Sequence, residues 1–587
     1  MGLFVKSSAK IPDSFVNTIG FGGKAGEGIK TAGKLICESL SKAGYELFLY
    51  DEYPSLIRGG HNITYISYSP YPVYACNKYI DILVCLDNQT FIKHKDNLSK
   101  KSIVIYDPEI FSIESEDIAN IGSEFLPFNV CKEMRKNGFP SILKNTLYAG
   151  ILLSILGITK KDFLASIKKI NKKHAESNLK CAEIAYKISE EFFEVKKYSI
   201  EHKQAKEKKY FISGNEAIGI GALRAGLGFY SAYPMTPSST IMDFMFKYGE
   251  KYGTIVKQAE DELSAINMVI GASFAGRRAM TATSGGGFSL MTEGLGLAAI
   301  TETPIVIVLS QRPGPATGMP TWTSQSDLQF ALHASQDEFP RIILAPTDHA
   351  ECLYFGSYAL DLSEKYQLPV IILLDKHLSE SFAKIKEETP YTKLNRGKIL
   401  SDSILKRIQK FKRYEISEDG VSPRSIPGQE NGVFIANSDE SDEMGYSIED
   451  SETRVRNVKK RYAKLENISK DMPDLNIYGD FRSKLALITW GSTKGAAMEA
   501  IRRLQNAGIS VKLIAINQIY PFPQEEFYNL VKSTKNCLLI ENNYTSQLLQ
   551  FIRSQDINFD PAILTKYDGR PIYPEEIIEY LISKKII

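Results

Sequence analysis

The apolar positions between residues 258 and 323 change period several times. Ala265, Ile266, Met268, Val269, Ala272 and Phe274 recur at helical spacing. Ala279 to Ala282 then reads as a short apolar strand, followed by Ser284-Gly285-Gly286-Gly287, a second Ala/Gly-rich helix and the buried-type strand Pro304 to Leu309. Helix, strand, glycine-rich turn, helix and strand together predict parallel α/β architecture. In open parallel sheets, ligands bind beyond the carboxyl ends of the strands. Glu260, Asp261 and Glu262 head the first helix, and Arg312 follows the last strand. The pattern therefore directs acids, glycines and an arginine toward one crevice.

The same reading divides the rest of the chain. Residues 1–195 form an α/β domain, opening with an apolar strand into Gly20-Phe21-Gly22-Gly23-Lys24-Ala25-Gly26-Glu27-Gly28. A helix from about Thr31 to Ala43 and a strand from Tyr45 to Tyr50 follow, ending at Asp51. A G-x-G-x-x-G/A turn lets amides approach an anion; a tight helix–strand turn explains it equally well. Gly28 is followed by Ile29 and Lys30, which excludes a P-loop, and Asp51 lies too far on for the usual ribose contact of a dinucleotide site. Arg58-Gly59-Gly60-His61 reads first as a surface or interface turn. Residues 196–209 are a Lys-dense solvated linker.

A second α/β domain spans residues 210–384. Within it, Thr236, Ser238 and Ser239 read first as caps of the next helix, although the same geometry aims hydroxyls at a carboxylate. Ser326-Asp327 opens another helix. Residues 385–475 are charged and turn-rich, an extended excursion with a helix around Arg454–Leu465. Residues 476–587 form a third α/β unit, in which Gly491-Ser492 at a helix start is explained by packing before anion binding.

Composition narrows the function classes. The chain has 587 residues, a net charge of +2 and 43% hydrophobic residues, as in an ordinary multidomain globular protein without the basic excess of a nucleic-acid binder. No apolar run suits a signal peptide or a membrane span. The seven cysteines are dispersed without a C-x-x-C pair, which argues against a cluster or structural zinc on this chain and fits reduced cytoplasmic thiols.

The segments Tyr233-Pro234-Met235-Thr236-Pro237-Ser238-Ser239, Gln258 to Met291 and Gln311 to Thr321 resemble the alpha, pyrimidine-domain subunit of the 2-oxoacid:ferredoxin oxidoreductases. Gly20 to Gly28 with Glu52 to His61 is similar to that family's gamma domain, here fused ahead of the alpha domain, and Phe411 to Gly428 and the Trp490-Gly491-Ser492-Thr493 unit also match. The resemblance implies a thiamine-diphosphate pyrimidine-type domain and a transketolase C-terminal-like last domain. It implies that Glu262, whose spacing to Gly271-Ala272 suits the role better than that of Glu260, hydrogen-bonds the aminopyrimidine ring of thiamine diphosphate. A plainer reading leaves the acids complementing a helix N-terminus. Tyr233, Pro234, Ser284 and Gly285 would line the cofactor, Thr236 would bind the substrate, and Arg312 would pair with its carboxylate.

The reaction so implied is coenzyme A-dependent oxidative decarboxylation of a 2-oxoacid, 2-oxoglutarate being favoured over pyruvate or branched-chain acids, with electrons passing to ferredoxin. The chain lacks a G-D-G…N motif and clustered cysteines, so Mg2+ and a four-iron four-sulfur cluster are expected on a separate beta subunit, in a cytoplasmic heterodimer or dimer of heterodimers inactive without it. Two departures from the family pattern stand out: Ser441 where a His is expected, and Gly285-Gly286-Gly287 in place of Gly-Pro-Gly. The rivals are a non-redox thiamine enzyme component, a dinucleotide-binding module built on Gly20–Gly28, and a noncatalytic assembly subunit.

Overall fold

The computed structural model describes residues 16–56, 59–170, 175–192, 200, 209–386 and 394–587. Arg58, the stretch before residue 16 and nearly all of the Lys-dense linker lie outside them. Three sheets organise the chain. The first has eight strands, in the spatial order Glu124–Pro127, Ile103–Tyr106, Ile82–Cys85, Asn17–Lys24, His61–Ser69, Glu46–Glu52, Phe382–Lys386 and Lys209–Ser213. Its first four strands are parallel and the rest pair antiparallel. Phe382–Lys386 and Lys209–Ser213 bracket the middle unit in sequence, yet they extend the first sheet, with Phe382 opposite Leu49 and Ala383 opposite Phe48.

The middle sheet has seven strands, in the order Gln518–Tyr520, Ile342–Leu344, Pro369–Asp375, Ile305–Gln311, Ala279–Thr283, Phe229–Ala232 and Ile255–Gln258. Six are parallel, and the antiparallel edge strand Gln518–Tyr520 comes from the last unit. The inner parallel strands are apolar runs, Ile305–Gln311 and Pro369–Asp375 buried throughout as a sheet covered on both faces requires, while the edge strand Ile255–Gln258 is largely exposed. On one face the helices Gly214–Arg224 and His349–Tyr366 pack backbone to backbone. A Cβ at Gly221 would sit 2.2 Å from the Leu353 carbonyl oxygen, and one at Gly356 2.5 Å from that of Ile218. Ser213 and Glu216 close a capping box at the start of the first helix, with Ser213 Oγ accepting from the Glu216 amide at 3.1 Å and Glu216 Oε2 accepting from the Ser213 amide at 3.0 Å.

The third sheet, Asn476–Gly479, Lys512–Ile516, Leu485–Trp490, Asn536–Glu541 and Ala562–Thr565, is parallel except for its first strand. It shares one apolar cluster with the middle unit, where Phe288, Ile307 and Leu328 pack in continuity with Trp490, Ile516 and Leu548. Among the described residues, no helix is long and apolar enough to cross a membrane.

The polar excursion between these units is held by buried ion pairs, beside the few apolar side chains, Val421, Ile468 and Met472 among them, that it adds to the middle unit's core. Its helix runs over Ser451–Asp471, longer at both ends than the sequence pattern indicates, and Asp450 caps its start by accepting from the Thr453 amide at 2.8 Å. Lys460 and Lys464 bury their ammonium groups against Glu302 of the middle unit, each at 2.7 Å, and the Arg413 guanidinium donates to the Glu302 carbonyl at 2.8 Å. A second buried knot joins Glu364 to Arg278 at 2.9 Å, Arg396 at 2.7 Å and Arg424 at 3.2 Å.

Burial alone would raise the Glu302 carboxyl, but Lys460, Lys464 and Arg413 outweigh it and hold the group well below the ordinary carboxylate range. Glu302→Gln leaves three cations near an uncharged partner, and breaking a buried pair from one side costs roughly 3–5 kcal/mol. We predict an earlier denaturant midpoint for this variant at pH 7. A folded-state value lowered in this way stabilises the protein above the ordinary glutamate value of 4.5, so the difference from wild type should close as the pH falls below it. Equal midpoints at pH 7 would contradict the prediction.

Candidate active site

Four neighbouring parallel strands end on one edge of the middle sheet, and each hands the chain to a segment singled out in the sequence. Phe229–Ala232 leads to Tyr233 through Ser238, and Ile255–Gln258 leads to the three acids. Ala279–Thr283 leads to Ser284 and the glycines, and Ile305–Gln311 leads to Arg312.

The three acids separate into different environments. Asp261 is the N-cap of the helix Glu262–Phe274 and accepts from the Ser264 amide at 2.7 Å. Glu260 is exposed and accepts from Ser264 Oγ at 3.1 Å. Glu262 is 3% exposed, and its Oε1 is buried without a hydrogen-bond partner. Helix capping thus accounts for Asp261 and leaves Glu262 unexplained. A carboxylate oxygen kept from water without a donor is costly, and such an atom points to a group the chain itself does not supply.

The triple glycine makes room for this carboxylate. A Cβ at Gly287 would stand 2.4 Å from Glu262 Oε1 and 2.1 Å from Thr283 Oγ1, whereas at Gly286 the nearest atom is 3.8 Å away. Ser284 precedes the helix Gly285–Ile300 without capping it, and its Oγ is also buried and unpartnered. A Cβ at Gly285 would lie 2.6 Å from Asp327 Oδ2.

Arg312 is largely buried and donates from Nη1 to the Thr236 carbonyl at 2.7 Å, which joins two of the strand ends directly. Burial works against its charge, while Asp327 and Glu262 favour it. Ser238 does not cap the helix Ser239–Tyr248; its hydroxyl turns back to the Met235 carbonyl at 2.7 Å. Tyr233, 39% exposed, and Pro234, also exposed, stand at the mouth of the same strand end. The edge thus carries a buried carboxyl able to exchange a proton and a fixed guanidinium able to hold an anion.

Asp327 was not singled out as a site residue in the sequence. Ser326-Asp327 before an apolar run looks the same whether its carboxyl caps the helix or faces a pocket. Here the carboxyl does not cap the helix Leu328–His333, and Oδ2 is buried without a partner. Burial lifts the group to about 6, against the opposing pull of Arg312.

The other glycine-rich turns are filled from within the chain. Gly28, at φ 75°, starts the helix Ile29–Lys42, and a Cβ there would meet Asn145 Nδ2 at 2.2 Å. The Lys24 amide in that turn donates to Glu27 Oε2 at 2.9 Å. Asp51 is buried and accepts from Thr64 Oγ1 at 2.5 Å, an internal partner in place of a ribose. At Gly491-Ser492 the anion is a side chain of the protein itself, Asp375 Oδ2, which accepts from the Ser492 amide at 3.0 Å.

Comparison with known proteins agrees with this layout. Residues 220–460 match the family described as pyruvate flavodoxin/ferredoxin oxidoreductase, thiamine diphosphate-binding. Residues 18–188 match pyruvate ferredoxin/flavodoxin oxidoreductase, and residues 478–583 match the transketolase C-terminal domain. The 2-oxoacid:ferredoxin oxidoreductase subunit alpha of Saccharolobus solfataricus is 33% identical over 95% of this chain and 96% of its own length. The 2-oxoglutarate synthase subunit KorA of Methanothermobacter thermautotrophicus is 32% identical over 64% of this chain and 99% of its own. The solved 2-oxoglutarate:ferredoxin oxidoreductase from Magnetococcus marinus, with 2-oxoglutarate, coenzyme A and succinyl-CoA bound, superposes with a TM-score of 0.91 at 30% identity, over 98% of this chain and 100% of that one. In sequence from end to end and in the folding of all three sheets, the chain belongs to the 2-oxoacid:ferredoxin oxidoreductases, as an oxidoreductase chain of the alpha-subunit type.

Proposed function

We propose that this chain supplies the pyrimidine side of a thiamine diphosphate site and works with a separate beta subunit in the coenzyme A-dependent oxidative decarboxylation of a 2-oxoacid, with 2-oxoglutarate the favoured substrate and ferredoxin the electron acceptor. The observation that carries the reading is the buried Glu262 Oε1, without a partner and facing the space left by Gly287. The choice of 2-oxoglutarate is supported by its presence in the superposed Magnetococcus marinus structure and in the names of the KorA relatives.

The residues fit the cofactor. Glu262 would hold a proton-sharing hydrogen bond to the pyrimidine ring, satisfying its orphaned oxygen, and Gly287 keeps the carboxylate in place by leaving no side chain against it. Ser284, Gly285, Tyr233 and Pro234 would border the ring. When bound, thiamine diphosphate supplies the nucleophile and electron sink that decarboxylation requires. The diphosphate and Mg2+ site and the iron–sulfur cluster belong in this reading to the beta subunit. Arg312 would pair with the substrate carboxylate. Its hydrogen bond to the Thr236 carbonyl fixes the guanidinium in advance and limits the ordering needed on binding. Thr236 would bring its hydroxyl to the same end of the substrate.

The test is 2-oxoacid- and coenzyme A-dependent reduction of a viologen dye by the chain purified with its beta partner. Glu262→Gln should lower turnover by roughly 10²-fold or more, the usual scale for losing a positioned proton-transfer group. Arg312→Ala should raise KM for 2-oxoglutarate by roughly 30-fold or more, since one charge of a desolvated pair is left alone. A complex that holds thiamine diphosphate and oxidises no 2-oxoacid would overturn the reading.

The glycines provide a finer contrast. Gly287→Ala should displace the Glu262 carboxylate and reduce activity by about 10²-fold, as ångström-scale misplacement does. Gly286→Ala, with open space around its new methyl, should stay within about twofold of wild type. Equal behaviour of the two variants would remove Gly287 from the account.

A further inference from the structure

We propose that Asp327 is a positioning residue of the substrate pocket, a proton-exchanging carboxyl within electrostatic reach of Arg312 that takes up a proton when an anionic 2-oxoacid pairs with that arginine, and so sets the pH dependence of substrate affinity. The inference rests on the reading of Arg312 as the carboxylate-binding residue.

Four observations carry it. The Asp327 backbone is tied to the strand that ends at Arg312, because its amide donates to Gln311 Oε1 at 2.9 Å while Gln311 Nε2 donates to the Leu374 carbonyl at 2.9 Å. Its carboxyl is not spent on helix capping, and Oδ2 is buried without a partner. The carboxyl occupies the open side of Gly285, where a Cβ would come within 2.6 Å of Oδ2 and 2.9 Å of Oδ1. Arg312 acts on it electrostatically, while its Nη1 is directed to the Thr236 carbonyl, so the arginine is held from another side.

The charged surroundings are simple. Among the described residues, Arg312 is the group that favours the Asp327 anion, and burial opposes it, leaving the group near 6. Glu262, from the helix that follows the edge strand Ile255–Gln258, acts on Arg312 and helps to keep it charged. A substrate carboxylate arriving at Arg312 adds negative charge and excludes water, and both effects disfavour ionised Asp327. Its proton affinity therefore rises on binding, and a proton enters from solvent. Below the free-state value Asp327 is neutral in both states and affinity is flat. Between the free and the bound values the substrate dissociation constant climbs with pH, by up to about tenfold per unit for one linked proton.

The experiment uses the complex of this chain with its beta partner, loaded with thiamine diphosphate. The probe is N-oxalylglycine, an unreactive 2-oxoglutarate mimic, titrated calorimetrically between pH 6 and 8.5 in buffers of different ionisation heat. Wild type should take up a fraction of a proton, and its affinity should fall by about tenfold across the range. Asp327→Asn, which keeps the shape and loses the titration, should show neither effect and should bind more tightly than wild type at pH 8.5. KM for 2-oxoglutarate should follow the same two profiles. Wild type with no proton uptake overturns the inference without reference to any variant. If Arg312→Ala weakens the probe but Asp327→Asn keeps the wild-type pH profile, the inference fails alone. If Arg312→Ala leaves probe affinity unchanged, the reading of Arg312 fails and takes the inference with it.

Discussion

A carboxylate oxygen held out of water without a donor costs on the order of 1–3 kcal/mol or more, and the middle unit is built so that Glu262 bears that cost. Its helix is capped by a different acid, Asp261, which leaves Glu262 free of that duty. The next helix begins with three glycines, the last of which approaches Glu262 more closely than any side chain would allow. Both helices follow strands that end on the same edge of the parallel sheet, which sets the carboxylate and the glycines against each other. Ser284 Oγ and Asp327 Oδ2 on the same edge are likewise buried without partners, so the unsatisfied groups gather at one place instead of being scattered through the unit.

The units are joined by two different kinds of force. The middle and last units share an apolar cluster and exchange an edge strand, a contact driven by burial. The excursion adds only a few apolar side chains to the middle unit's core and is joined to it by ions as well, Lys460 and Lys464 on Glu302, and Arg396 and Arg424 with Arg278 around Glu364. Ion knots of this kind are demanding in geometry and return little net stability, but they allow few alternative arrangements.

Much of the middle unit could be read from the sequence because its information is local. The alternation of strand and small-residue helix between residues 258 and 311 predicts the parallel sheet, and the position of each candidate residue after a strand end follows from it. What could not be read is what depends on distant partners. Nothing in residues 382–386 says that they pair with Glu46–Glu52, or in residues 209–213 that they pair with 382–386, in place of the nearer sheet. Gly491-Ser492 carries the pattern of an anion site, and only the fold reveals that Asp375 is the anion. Asp327 and Asp261 precede their helices in the same way, yet one caps and the other does not. Local sequence cannot separate these uses, because the difference lies in what Gly285 and Arg312 leave open across the pocket.

The placement of Phe382–Lys386 and Lys209–Ser213 in the first sheet has a consequence for how such a chain can be divided. Scission anywhere in residues 193–208 would cut the covalent link but not the ladder, because the strand pair belongs to the second piece while its neighbour Glu46–Glu52 belongs to the first. The two pieces would then meet by strand addition, backbone to backbone, as separate subunits do when one lends an edge to another. In the single chain the linker converts that meeting into an intramolecular event at high effective concentration. Fusion thus makes obligatory and concentration-independent a docking that two polypeptides would otherwise have to find by diffusion.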